Sequence, residues 1–302
     1  MSDRPDKVAL AVIVSVVAIV LFDLMGLLIK RLSPHYGAAE LSAYRNIFGL
    51  LPSAIVLWMN STWRNGGRRL GIRQWQLAMA RGVAVTFAQY LFYLSLGLMA
   101  FATTTTISYS TALFTTALSV PLLGERVGLI RWSAVALGFV GVMMIMQPGT
   151  AGFSWHMLLP FGAAALYGFS GVSARLIDPE VPTPLFNLHS STVAVLGSLT
   201  LALSVGGFTP VANLQDLGLI VLMGLFGGTA VLCLVVAYRM TESSNLAPFS
   251  YLGIPIAFGL GWLFFDEAPI DDLLPGALLI VFAGLMILYR ERRLRRTGQK
   301  TG

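Results

Sequence analysis

The sequence predicts an all-α integral membrane protein: ten transmembrane helices in two inverted five-helix repeats, both termini cytoplasmic. Three observations predict it. The 302 residues are 56% hydrophobic and only 11% charged, against roughly a quarter charged in a soluble domain. Gly82–Gly124 and Trp132–Ala174 each run 43 residues without Asp, Glu, Lys or Arg. At about 20 residues per crossing, each stretch holds two spans and a tight turn. Finally, sliding the chain along itself by 142 residues pairs Ser108-Tyr109 with Ser250-Tyr251 and Glu125 with Glu267. Lipid leaves no partner for an unpaired backbone, so runs this continuous are helices and not barrel strands.

The expected spans are 8–30, 37–59, 74–98, 102–123, 127–147, 155–176, 183–205, 216–238, 246–265 and 272–290. The first resembles a signal peptide in following Arg4 and Lys7, but it is too long and ends in "LLIKRLSPHY" with no small-residue cleavage site. Spans three and four fill the first uncharged stretch, and five and six fill the second. An even number of spans puts both termini on one side, where 16 of the 20 basic residues then fall. By the positive-inside rule that side is the cytoplasm. The net charge of +6 therefore reports topology and not nucleic-acid binding. The partner it implies is the bilayer, and the basic tail 291–302 acts as a topology anchor or binds anionic lipid.

A shift of 144 pairs Arg31-Leu32 with Arg175-Leu176 and Arg45 with His189. Together with the 142-residue matches this marks two halves, 8–147 and 155–290. Each has five spans, an odd number, so the second enters the membrane upside down. Inverted repeats are typical of secondary transporters, whose site lies near the midplane between the halves.

"LFYLSLGLMAFATTTTISYSTALFTTALSVPLLGERV" followed by "RWSAVALGFVGVMMI" resembles the third to fifth helices of an EamA-type repeat of the drug/metabolite transporter superfamily. "SYLGIPIAFGLGWLFFDEAPIDDLLPGALLIVFAGLMIL" resembles the same module, with Asp266 where the first half has glycine before glutamate. Within the superfamily the chain looks most like the YddG-type exporters of aromatic amino acids. The resemblance implies ten helices around a central cavity. Helices five and ten would lie outside the transport core, where small residues at Ala134, Gly138 and Gly141 let them pack closely on a partner, a second copy included.

Ionisable groups within spans are costly and point to function. Asp23 and Arg45 share a depth; they form an ion pair between helices, or they capture the ammonium and carboxylate of a zwitterion. His189 either couples protons or is a packed hydrogen-bonding residue. Arg81 snorkels to the cytoplasmic headgroups. Tyr90 and Tyr93 beside Gln89, with Tyr109, Tyr167 and Tyr251, line the cavity or pack in the core; Ser108 and the Thr-rich run around Tyr109 place that helix against water or a partner. The depths of Tyr109 and Tyr251 place them at opposite ends of one pathway. Pro121 and Pro255 bend helices four and nine. Glu125 and Glu267 end their helices as caps or loop partners.

One scattered cysteine and three histidines offer no metal spacing. There is no GxxxxGK[ST] loop, no nucleophile–base set at one depth, and hence no cofactor or enzymatic activity to expect. The expectation is an exporter of small amphipathic metabolites, aromatic amino acids first, across a bacterial inner membrane by alternating access. Lipophilic cations or drugs, neutral amino acids and purines are the alternative solutes on the same fold.

Overall fold

A computed structural model describes residues 5–59, 71, 74–124, 128–150, 152–173, 176–177, 183–240, 246, 249, 251–267 and 269–298. Among them every regular element is helical and no strand occurs: α1 (Pro5–Leu32), α2 (Ala38–Met59), α3 (Trp75–Leu98), α4 (Phe101–Ser108), α5 (Thr111–Leu123), α6 (Leu129–Met146), a 3-10 turn (Trp155–Met157), α7 (Leu158–Ser173), α8 (Thr183–Val205), α9 (Leu214–Met240), α10 (Gly253–Phe265) and α11 (Ile270–Gly298). Five stretches are long and apolar enough to cross a bilayer: Val8–Leu32, Trp75–Leu98, Phe101–Leu123 (α4 and α5 together), Leu188–Val205 and Leu214–Leu234; shorter apolar helices are Trp132–Met146, Gly253–Phe265 and Leu273–Met286. The helix expected to end at residue 290 continues to Gly298. Glu125, Arg175 and Ser250 lie outside the described residues.

The outward surface is apolar in the way a bilayer demands. Ile13, Trp58, Leu203, Leu263 and Tyr289 are all more than half exposed, a pattern a water-soluble monomer avoids. Inside, α1 packs along α9, α2 along α9 and α8, α3 along α7 and α8, and α6 along α11. One core cluster gathers Ile29, Leu41, Tyr93, Leu96, Phe101 and Met223 from α1 to α4 and α9. A second gathers Leu113, Val142, Ile145, Tyr251 and Ile280 from α5, α6, the turn before α10 and α11.

Small residues set the closest approaches. On α10, Gly253, Ala257 and Gly261 recur every fourth residue and all are buried. The small residues of α6 do not form a free face. Ala134 is fully buried, Gly138 lies against Leu113 of α5, and Gly141 lies against the Gly276 carbonyl of α11. They are used within the chain, so they supply no partner surface.

Two local features recur at a fixed interval. The span over residues 101–123 is interrupted at Tyr109–Ser110, where Ser110 N–H reaches Ile107 O (3.0 Å) and Leu113 N–H reaches Ser110 O (2.9 Å), the tighter 3-10 spacing. In the second half, Leu252 N–H bonds Phe249 O (3.0 Å) and Ile254 N–H bonds Tyr251 O (3.1 Å). Helix ends recur too. Gly124 closes α5 at φ 67° and Asp266 closes α10 at φ 54°, both left-handed. Glycine takes that conformation without cost, and aspartate is one of the few side chains that tolerate it.

Candidate functional site

Both interruptions converge. The rings of Tyr109 and Tyr251 meet at 6.0 Å between centroids, tilted 41°. This corrects the expectation that they mark opposite ends of a pathway. The Phe101–Leu123 span has 23 residues, so Tyr109 lies only about 5 Å of rise from its middle, and its side chain reaches the centre of the bundle. The hydroxyl of Tyr109 rests on Gly253, next to Ile19 of α1; that of Tyr251 rests on Gly284 of α11. A Cβ at either glycine would collide with the phenol oxygen.

Asp23 is 6% exposed, and its Oδ2 has no hydrogen-bond partner. It lies one turn beyond Ile19 on α1, within electrostatic reach of Tyr109. Arg45 is not its partner: among the described residues the ion pair within 4.0 Å is Lys30–Glu267. Arg45 instead packs against Gly227 of α9. Its Nη1 donates to Asn46 Oδ1 at 3.2 Å, and its Nε is buried without a partner. Tyr93, 1% exposed, has an unpartnered hydroxyl and shares the Arg45 field with Tyr167 of α7. The neighbouring Ser110 hydroxyl is also unpartnered.

Sequence reasoning missed an uncharged polar seam beside Arg45. Gln89 Oε1 accepts from Asn46 Nδ2 at 2.7 Å and from Ser42 Oγ at 3.2 Å. Asn46 Nδ2 also reaches Ser198 Oγ at 3.3 Å, tying α2 to α3 and α8. The signal was available: an amide directly after an intramembrane arginine, and Gln89 on the next helix. A search for charges passes over Asn46, and Gln89 entered only as the neighbour of Tyr90 and Tyr93.

Several expected site residues are placed elsewhere. Tyr90 packs with Ala39, Ala43 and Ala202 of α2 and α8. Ser108 Oγ donates to Thr104 O at 2.9 Å within its own helix, as Thr105 and Thr106 do to Phe101 O and Ala102 O. Those hydroxyls are used up by backbone carbonyls, which explains why a buried helix carries so many. His189 Nδ1 lies 2.9 Å from Leu185 O in the same helix. Arg81 does not snorkel away: its Nε donates to Ser170 Oγ at 3.0 Å, and its guanidinium lies 5.5 Å from the Phe186 ring centre. The break in span four is at Tyr109–Ser110 and not at Pro121, which lies near the end of α5; Pro255 falls in the first turn of α10, where its missing N–H leaves no bond unmade.

A second polar group closes the end of the bundle where α1, α3 and α10 finish. Lys30 Nζ contacts Glu267 Oε1 at 2.5 Å and Met99 O at 2.7 Å. The other Glu267 oxygen accepts the Phe101 N–H at 2.8 Å, and Lys30 lies 5.1 Å from the Phe265 ring centre. Alongside it, Tyr36 donates to Asp216 Oδ2 at 2.9 Å and accepts the Ala212 N–H at 3.1 Å. Glu40 Oε2 takes the Thr209 N–H and hydroxyl at 3.2 and 3.1 Å. A shallow surface hollow of about 430 Å³, lined by α9 leucines such as Leu217 and Leu222, touches none of these groups. Among the described residues no set of three or more His, Cys, Asp or Glu side chains could hold a metal ion.

Comparison with known proteins places this architecture. The model of the EamA-like transporter family matches residues 9–147 and again 154–290. A riboflavin transporter of Rhizobium johnstonii is 38% identical over 179 residues, a match spanning 58% of this chain and only 57% of that protein. An S-adenosylmethionine uptake transporter of Rickettsia felis is 27% identical over 270 residues, 87% of each chain. A pseudopaline exporter of Pseudomonas aeruginosa is 25% identical over 279 residues, 92% of this chain and 95% of that one. A solved crystal structure superposes with a TM-score of 0.65 at 18% identity, covering 95% of this chain and 99% of the other; at that identity the likeness is one of fold. None of these relatives bears the name of an aromatic amino acid exporter, so the YddG-type resemblance gains no support from them.

Proposed function

From the premise that the chain belongs to the EamA-like transporter family, we propose that it is a secondary transporter of a small, ring-bearing polar metabolite. It works by alternating access of two inverted five-helix halves, 8–147 and 155–290, in a bacterial inner membrane with both termini cytoplasmic. The observation that carries this reading is the meeting of Tyr109 and Tyr251 at 6.0 Å. They are equivalent residues of the two halves, and each stands where its own helix is interrupted.

Other features support it. The family model matches the chain twice, and the left-handed helix ends at Gly124 and Asp266 keep the same 142-residue interval as the tyrosines. Helix contacts follow a twofold pattern as well: α1 on α9 is mirrored by α7 on α3, and α2 on α9 by α8 on α3, while α2–α8 and α6–α11 pair with themselves. Two rings in contact, in a chain that also keeps unpartnered atoms on Asp23, Arg45, Tyr93 and Ser110, suit a solute with a flat ring and polar ends. Buried polar atoms are rarely left unsatisfied without a functional reason.

Riboflavin and S-adenosylmethionine both carry flat heteroaromatic rings, so the names of the relatives widen the expected class beyond aromatic amino acids. Export is the direction expected from the sequence; the relatives' names include both uptake and export. Purified protein in proteoliposomes, assayed in both directions with labelled riboflavin, S-adenosylmethionine, phenylalanine, tyrosine and tryptophan, tests the reading. Saturable flux of at least one is expected. Flux of none above empty liposomes overturns it, and flux confined to the first two removes aromatic amino acids from the class.

A further inference from the structure

We propose, resting on the transporter reading above, that Asp23 with the Tyr109–Tyr251 pair forms a subsite for a permanently charged organic group, a sulfonium or a quaternary ammonium, carried by the transported solute. Three observations converge on this. Asp23 is 6% exposed with Oδ2 unpartnered, and no Lys, Arg or His among the described residues comes within 4.0 Å of it. A carboxylate at membrane depth is costly unless a counter-charge joins it. The Tyr109 hydroxyl meets Ile19, one turn before Asp23 on α1, the Tyr251 ring lies 6.0 Å from that of Tyr109, and an aromatic ring face attracts a cation that has shed its water. Ser110, next to Tyr109, adds a buried hydroxyl without a partner.

The chain itself supplies the template. At Lys30 an ammonium lies against the Glu267 carboxylate and 5.1 Å from the centre of the Phe265 ring. At Asp23 the carboxylate and the rings recur, and no side-chain cation completes them. Of the other unpartnered groups, Arg45 Nε is a donor only and suits an acceptor on the same solute, while Tyr93 Oη can donate or accept. The two glycines that seat the phenols, Gly253 and Gly284, hold the rings in place without contributing charge.

The test is equilibrium binding to the full-length protein in nanodiscs. The probes are S-adenosylmethionine, a sulfonium, and S-adenosylhomocysteine, the same skeleton without that methyl group or charge. The wild type is expected to bind the sulfonium at least about tenfold more tightly. Asp23→Asn should remove that preference while leaving the neutral probe within about twofold, Asp23→Glu should keep part of it, and Tyr251→Leu should weaken the cationic probe selectively. Equal binding of the two probes by the wild type, or equal loss of both in Asp23→Asn, overturns the subsite. So does failure to bind the sulfonium by a protein that carries other solutes in the flux panel. Flux of no solute at all overturns the transporter reading instead, so the two failures are told apart.

Discussion

Two levels of α1, two turns apart, face opposite polar situations. Near its C-terminus, Lys30 is satisfied by a carboxylate and a carbonyl, and the adjoining Tyr36 and Glu40 bind the first turn of α9 and the segment before it. Two turns earlier, Asp23 has an oxygen with no partner, and across the bundle centre Arg45, Tyr93 and Ser110 also keep unpartnered atoms. Burial alone does not separate them: Tyr36 and Glu40 at the tied end are as buried as Asp23 and Tyr93, although the Lys30–Glu267 pair is more exposed. What separates them is whether the chain supplies its own counterparts. Polar groups that close the structure find them; Asp23, Arg45, Tyr93 and Ser110 each keep an atom that does not. Glu40 shows the limit of the contrast, since its Oε1 is also unpartnered while its Oε2 is bonded twice.

That contrast orders the expected effects of substitution. The largest falls at the centre. Gly253→Val puts side-chain atoms where the Tyr109 hydroxyl rests and should cost on the order of 1–3 kcal/mol, with flux lost in protein that still purifies as a monodisperse species. Gly253→Ala combined with Tyr109→Phe removes the colliding oxygen and should recover part of the flux of Gly253→Ala alone. No recovery would mean that Tyr109 does not rest on Gly253.

The next effect lies at the tied end. Lys30→Ala leaves Glu267 without its cation and should destabilise that closure by about 1–3 kcal/mol, read as faster hydrogen exchange over residues 99–104. Lys30→Glu with Glu267→Lys should restore it only in part, because a lysine at 267 cannot accept the Phe101 N–H. The smallest effect is Tyr36→Phe, which removes one donor and one acceptor. It should lower stability by about 1 kcal/mol in thermal unfolding and leave the affinity for the transported solute unchanged.

Much of the architecture was legible because lipid simplifies the reading. Long uncharged runs must be helices, and "LLGERV" and "FFDEAP" flagged two helix ends whose left-handed closure at Gly124 and Asp266 the structure displays. The site was less legible. Counting depth along an unbroken helix put Tyr109 and Tyr251 apart, because the interruptions at Tyr109–Ser110 and Tyr251–Leu252 and the glycine seats leave no periodic signal. Asp23 and Arg45 were visible as charges, but their separation depends on how α1 turns against α9 and α10. The threonine run read as a face against water or a partner; Thr103 to Thr106 are buried, and composition does not distinguish a hydroxyl facing water from one bonded to its own helix.

Counterflow tests the transporter most directly. Proteoliposomes are loaded with the unlabelled form of whichever panel solute the protein carries best, and entry of the labelled form is followed. A carrier that exposes one central site to each side in turn predicts faster labelled entry into loaded vesicles than into empty ones, with the acceleration abolished in Gly253→Val. Equal entry into loaded and empty vesicles would contradict alternating access at the Tyr109–Tyr251 centre.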